Sequence, residues 1–250
     1  MKARCFLKNQ DCSKNRCRSN VAPTSAVSRS NPRDSQKRQG IELKMIYSQG
    51  ATQIEPDWTG LRRVARDRAQ QGDYAQAIEI MNCLIDRNPS DANDYNNRGL
   101  VYFQSGQLAS AIADYDRAIQ LNPHLAGAYN NRANYYAQQG QLIEAIADYD
   151  RAIDLNPVHV RAWINQGITF RDLKLYERAI DNFDFALRLG QLKAHIWAER
   201  GRTYHLMGDW NYALADYRRA LEELPVSRRR QQVETWLNEL LSPLQFGPEN

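Results

Sequence analysis

Residues 92–125, ANDYNNRGLVYFQSGQLASAIADYDRAIQLNPHL, and residues 126–159, AGAYNNRANYYAQQGQLIEAIADYDRAIDLNPVH, are two copies of one 34-residue phrase, identical at 22 of 34 positions without a gap. Self-similarity at such a period marks stacked helical hairpins. Stepping outward by 34 residues finds further copies at 58–91, 160–193 and 194–227.

The phase of the unit follows from what it must bury. Apolar or small residues recur at unit positions 4, 8 and 11 and again at 20, 24 and 27, one face of a helix each time. In the second unit these are Tyr95, Gly99 and Tyr102, then Ala111, Tyr115 and Ala118; in the third, Tyr129, Ala133 and Tyr136, then Ala145, Tyr149 and Ala152. Small residues let two helices approach, and tyrosines fill the space beside them. A glycine separates the two runs (Gly72, Gly106, Gly140, Gly208), where a helix end calls for a left-handed residue. Asn-Pro follows the second run at Asn88-Pro89, Asn122-Pro123 and Asn156-Pro157, with Leu224-Pro225 in the fifth unit, and stops that helix. Each unit therefore reads as a helix, a tight turn and an antiparallel helix. Unit 4 departs from the pattern, with Lys174 at the turn and Gly190-Gln191 in place of Asn-Pro, and unit 1 carries Arg68 and Met81 at positions 11 and 24.

This pattern resembles the tetratricopeptide repeat, a family of 34-residue helical hairpins, over residues 58–227. The resemblance implies an all-α, right-handed α-solenoid of five hairpins. Five units exceed the minimum of about three that such arrays need. After Pro225, Val233, Trp236, Leu237, Leu240 and Leu241 form one helical stripe. Residues 228–242 are therefore expected to form a capping helix that Ser242-Pro243 ends, with residues 243–250 disordered.

The remaining segment, residues 1–57, is expected to be a disordered basic tail. Its first 44 residues hold eleven Lys/Arg and three Asp/Glu, net +8, so the chain's overall +4 leaves residues 45–250 at net −4. Three readings of the tail stand: an organelle transit peptide, as in a plastid; a translation start that truly lies at Met45; and a basic arm for nucleic acid or a membrane surface. No run of about 20 apolar residues offers a transmembrane segment, and a soluble, cytoplasmic protein is expected.

Chemistry-bearing constellations are missing from the sequence. Cys5, Cys12 and Cys17 have spacings of no zinc module and Cys83 stands alone, so neither metal nor cofactor is expected. The glycines are isolated at turn and packing positions and form no phosphate loop. Asp114, Asp116, Asp148 and Asp150 flank a buried tyrosine and are expected to face solvent or Arg117 and Arg151. An enzyme is not expected.

What remains is surface. In the family, positions 2, 5, 9 and 12 of the first helix point into a concave groove, and the resemblance places seventeen residues there. These are Arg62, Arg66, Asn93, Asn96, Leu100, Phe103, Asn130, Asn134, Ala137, Arg161, Ile164, Ile168, Arg171, His195, Ala198, Arg202 and His205. None is acidic, so the groove is expected to be positive and to suit an extended or helical, acidic peptide of a protein partner. Asn97, Asn131 and Asn165 at position 6 sit where they can tie one hairpin to the next. The family's carboxylate clamp for acidic chaperone tails is incomplete: Arg62 and Asn97 match, but Arg66 stands where asparagine is expected, and Gly127 and Asn131 replace the basic pair. The IADYDRAI and LNP phrases are similar in style to repeat proteins of cyanobacteria and plastids, some of which assist photosystem assembly. A non-catalytic scaffold or assembly factor is the resulting expectation. The alternative is an RNA-binding protein using the basic tail and the Arg-rich first helix, although aromatics for base stacking are scarce in the groove.

Overall fold

The computed structural model describes residues 58–245, with side chains from residue 60 to 242. The expectations for residues 1–57 and for the last residues of the chain lie outside this range. All described elements are helices. They form five hairpins: α1 Trp58–Gln70 with α2 Tyr74–Arg87, α3 Ala92–Gln104 with α4 Leu108–Leu121, α5 Ala126–Gln138 with α6 Leu142–Leu155, α7 Val160–Asp172 with α8 Tyr176–Arg188, and α9 Lys193–Met207 with α10 Trp210–Glu223. A final helix, α11, spans Arg228–Gln245. The hairpins stack as an α-solenoid.

The small positions do what their size permits. A Cβ on Gly99 would lie 2.8 Å from Cε1 of Tyr115, so a larger residue there would have to displace that ring. Ala111, Tyr115, Ala118, Ala145, Tyr149 and Ala152 are all buried. Every hairpin turn is closed by the same bond, from the position-16 N–H to the position-11 carbonyl: Asp73 to Arg68, Gln107 to Tyr102, Gln141 to Tyr136, Leu175 to Phe170 and Asp209 to Tyr204, at 2.8 to 2.9 Å. This is the six-to-one bond of a left-handed helix end. The four glycines there have positive φ, and Lys174 takes the same conformation at φ 61°. The missing glycine thus changes the strain of turn 4 and not its shape.

At the second irregular place, Gly190 and Leu192 are both left-handed (φ 77° and 55°), and α9 begins at Lys193, one residue ahead of the 34-residue phase. The last helix also differs from expectation. It runs through Ser242-Pro243 to Gln245. A proline at position 243 deprives the Glu239 carbonyl of its helical partner, and Ser242 Oγ donates to that carbonyl instead, at 3.2 Å. Val233 and Leu240 of α11 are buried against Ala213, Tyr217 and Ala220, with Trp236 and Leu237 alongside. Arg230 Nη1 donates to the Leu221 and Leu224 carbonyls at 2.6 and 2.8 Å and so caps the end of α10.

A buried polar ladder runs through the stack. The position-7 side chain of one hairpin bridges position 23 of its own second helix and position 25 of the preceding one. Arg98 grips Asp114 with two bonds of 2.7 Å and reaches Asn82 at 2.7 Å. Arg132 grips Asp148 at 2.7 and 2.8 Å and reaches Asp116 at 2.7 Å. Arg200 holds Asp216 in the same way and reaches Asp184. Hairpin 4 replaces the charged pair with amides: Asn182 Nδ2 donates to Gln166 Oε1 at 2.8 Å, and Gln166 Nε2 donates to Asp150 at 2.6 Å. Hairpin 1 places Val64 and Ile80 at the equivalent positions. Tyr95 and Tyr102 flank the Arg98 guanidinium at 5.5 and 5.7 Å, adding ring faces to its partners. Its two-pronged bond to Asp114 holds Arg98 above its ordinary pKa.

This corrects the expectation for the Asp-Tyr-Asp phrases. Asp114 and Asp148 are buried, and their partners lie 16 residues back on the first helix. Asp116 and Asp150 reach forward to the next hairpin. Arg117 and Arg151 instead lie exposed over Tyr95 and Tyr129.

Candidate functional site

First helices of successive hairpins, α3 to α5, α5 to α7, α7 to α9 and α9 to α11, pack directly on one another. The helices that approach one another in an arc lie on its inner side, so the first helices form the inner face. Side chains stitch this face from one helix to the next. Arg62 of α1 binds Asp94 of α3 at 2.6 Å and Asp91 at 2.7 Å. Asn131 of α5 donates to Asn96 of α3 at 2.9 Å. Asn165 of α7 donates to Asn134 and Asn130 of α5 at 2.9 and 3.4 Å. Arg171 of α7 and Arg229 of α11 both bind Glu199 of α9, and Arg202 of α9 binds Glu239 of α11 at 2.9 Å.

These bonds separate the residues expected in the groove into three groups. Ile164 and Ala198 are buried in the core, and Asn130 is only 5% exposed, so they present no area to a partner. Arg62, Arg171 and Arg202 are on the face but are matched by the carboxylates just named. The expectation of an acid-free groove counted positions 2, 5, 9 and 12, whereas Asp94 and Glu199 stand at positions 3 and 6, turned toward the neighbouring helix. Asn96, Leu100, Phe103, Asn134, Ile168 and His205 are half-buried, and Arg66 and Arg161 are exposed.

The first helix also decides the fate of the buried phenols, through position 9 for Tyr149 and Tyr115 and position 12 for Tyr217. Tyr149 OH donates to Asn134 Oδ1 at 2.7 Å, and Tyr217 OH meets His205 Nδ1 at 3.2 Å. Tyr115 has Leu100 at position 9 of its own hairpin, and its OH is buried without a partner among the described residues. Burial pushes all three phenols above their ordinary range. Glu199 behaves in the opposite sense: burial alone would raise it, but Arg171 and Arg229 outweigh burial and hold it below the ordinary carboxylate value. His159, whose Nδ1 accepts from the Ala162 N–H at 3.2 Å and so caps α7, is held below its usual value chiefly by burial.

The ladder at positions 7, 23 and 25 had a signal in the sequence: Arg or Gln followed 16 residues later by Asp or Asn, repeated in phase in four units. Flanking a buried tyrosine, those aspartates read from the sequence alone as exposed.

Three tetratricopeptide sequence profiles match the chain, one described as TPR repeat at residues 99–140 and two as Tetratricopeptide repeat at 126–159 and 165–228, together spanning half of it. The chain belongs to the tetratricopeptide-repeat family. Among curated proteins no sequence matches. Among solved structures this tetratricopeptide-repeat chain is similar to a thermophilic TPR protein of Thermus thermophilus, with a TM-score of 0.63 at 19% identity over 74% of this chain and 99% of that one. It is also similar to pilF of Pseudomonas aeruginosa, at 0.64 and 18% over 75% and 86%, and to the MamA protein, at 0.54 and 20% over 68% and 97%. These identities carry the fold. No described helix is long and apolar enough to cross a membrane.

Proposed function

We propose that this protein is a non-catalytic protein-binding scaffold, of the assembly-factor kind, whose inner face holds an extended or helical segment of a partner. One observation carries the reading: the row of asparagine amides on the first helices of hairpins 2 to 4. Asn96 and Asn134 each spend their oxygen on a neighbouring helix or a buried phenol, which fixes the amide plane. Neither amide nitrogen donates a hydrogen bond among the described residues, so both remain as oriented donors. Backbone carbonyls of a peptide are the acceptors that such donors fit. Leu100 and Phe103, both half-buried beside them, add apolar contact for a side chain.

The test is a co-purification with the full chain as bait, with and without nuclease, comparing wild type with the double variant Asn96→Ala and Phe103→Ala. The expected result is a protein partner that survives nuclease and is lost by the variant, whose helical circular dichroism is unchanged. Retention by the variant at full strength would overturn the assignment of the face. Loss of the partner with nuclease would favour RNA instead.

A further inference from the structure

One row of the inner face is charged in register. Unit position 2 carries Arg161 in α7, His195 in α9 and, one further period on, Arg229 in α11. The same position in hairpins 2 and 3 is Asn93 and Gly127, so the row occupies the C-terminal part alone. Arg161 is exposed and has no ion-pair partner among the described residues. His195 is half-buried, and Arg161 of α7, Arg229 of α11 and Glu199 of its own helix act on its imidazole. The Glu199 carboxylate is already divided between Arg171 and Arg229. Arg229 keeps a buried Nε without an acceptor among the described residues, and exposed Arg228 stands beside it at an open depression on α11. Of these four arginines, Arg171 and Arg229 share Glu199, Arg171 also lies 3.6 Å from Asp172, and Arg161 and Arg228 have no ion pair among the described residues.

We propose that this row receives an acidic segment of a protein partner in polyproline-II conformation, with carboxylates at every third residue. The proposal rests on the scaffold reading above and names the chemistry of its ligand. The argument is one of spacing. α7 packs on α9 and α9 on α11; packed helices lie about 8 to 10 Å apart, the interval at which a row of equivalent positions is expected to repeat. A polyproline-II chain has three residues per turn and rises about 3.1 Å per residue, so side chains at i and i+3 face one way roughly 9 Å apart. A β-strand repeats its face at about 6.6 Å and falls out of step. Single-stranded nucleic acid needs free aromatic rings beside the charge. Trp163 packs on Phe185 with ring centroids 4.3 Å apart, and Trp236 lies against Tyr217 and beneath Arg202 and Arg229, so neither ring is free.

The row also ties binding to pH. In the free protein, burial and then Arg229 and Arg161 hold His195 below its ordinary value, which favours the neutral ring. A carboxylate laid between Arg161 and Arg229 offsets the two cations and favours the imidazolium. Binding therefore takes up a proton and strengthens as pH falls toward the bound-state value.

The experiment is fluorescence anisotropy with the full chain and two isomeric peptides, one built from three Glu-Ala-Pro repeats and one with its three glutamates adjacent. The spaced peptide is expected to bind several-fold more tightly and to gain affinity between pH 7.5 and 6. Arg161→Ala should weaken it by about threefold, the scale of an exposed ion pair. His195→Gln should abolish the pH dependence. Equal binding of the two isomers, no binding of either, or indifference to both substitutions would overturn the proposal. Tighter binding of oligouridylate would assign the row to nucleic acid. Should the natural partner depend on Asn96 and Phe103 but not on Arg161, the row fails and the scaffold reading stands; should both sets be silent, both fail.

Discussion

Hairpins 3 and 4 solve the same packing problem with different chemistry. In hairpin 3 the helices are clamped by Arg132 and Asp148, and in hairpin 4 by Gln166 and Asn182, at the same unit positions. Both side chains at position 7 also reach the preceding hairpin, at Asp116 and Asp150. A planar donor group of the right reach therefore satisfies the arrangement between hairpins with or without charge. What differs is the consequence of removing a partner. A buried ion pair is weak evidence of net stability, yet half of one is strongly destabilising, whereas half of an amide pair is less so.

That difference can be broken directly. Arg132→Ala leaves the Asp148 carboxylate buried alone and is expected to lower the unfolding free energy by about 3 kcal/mol in urea titration. Gln166→Ala should cost nearer 1 kcal/mol. Equal losses would show that the charge is immaterial. Converting hairpin 3 to the chemistry of hairpin 4, with Arg132→Gln and Asp148→Asn together, should recover most of the loss seen for Arg132→Gln alone, giving a coupling of at least about 1 kcal/mol in a double-mutant cycle.

Acid sharpens the contrast between the middle of the stack and its C-terminal part. His159 and His195 are held below 6.5 in the folded state, chiefly by burial, so protonation favours unfolding. Their contribution is complete above 6.5 and is lost as pH falls from there toward their folded values. Glu199, held below 4.5 by its two arginines, keeps its contribution above that value and loses it as pH falls through its folded value. Amide protection, taken against the intrinsic exchange rate at each pH, should therefore fall first in α7 and α9 between pH 7 and 5, with hairpins 2 and 3 still protected. Uniform loss of protection would contradict it. The smallest effect lies at turn 4. Lys174→Gly relieves a left-handed lysine and should raise stability by up to about 1 kcal/mol, while Gly140→Lys should lower it by a similar amount.

The hairpins were legible in the sequence because glycine, proline and small residues each answer a steric demand that recurs every 34 residues. Gly99 could be identified as a contact residue before the ring of Tyr115 was seen against it. Proline at 243 misled, because the side chain of the preceding serine repairs the missing bond, and a local rule for proline carries no such partner. The inner face was legible in its location and less so in its charge. Arg62, Arg171 and Arg202 look free along the sequence, but their partners Asp94, Glu199 and Glu239 lie 28 to 37 residues away. Side-chain pairing between helices depends on reach and rotamer, which a periodic pattern of residue types does not encode.

The polar ladder has a consequence for how such an array grows. Each repeat carries a plug, the position-7 side chain, and a socket, the position-25 acceptor for the plug of the following repeat. Duplicating a 34-residue stretch such as residues 126–159 copies both, so a new hairpin arrives already fitted to its neighbours. The two ends of the ladder are marked in the same terms. Hairpin 1 has the socket Asn82 but Val64 where a plug would be, and hairpin 5 has the plug Arg200 but an exposed Arg218 where the next socket would be. An arginine plug cannot seat against another arginine, so the ladder carries its own stop signal.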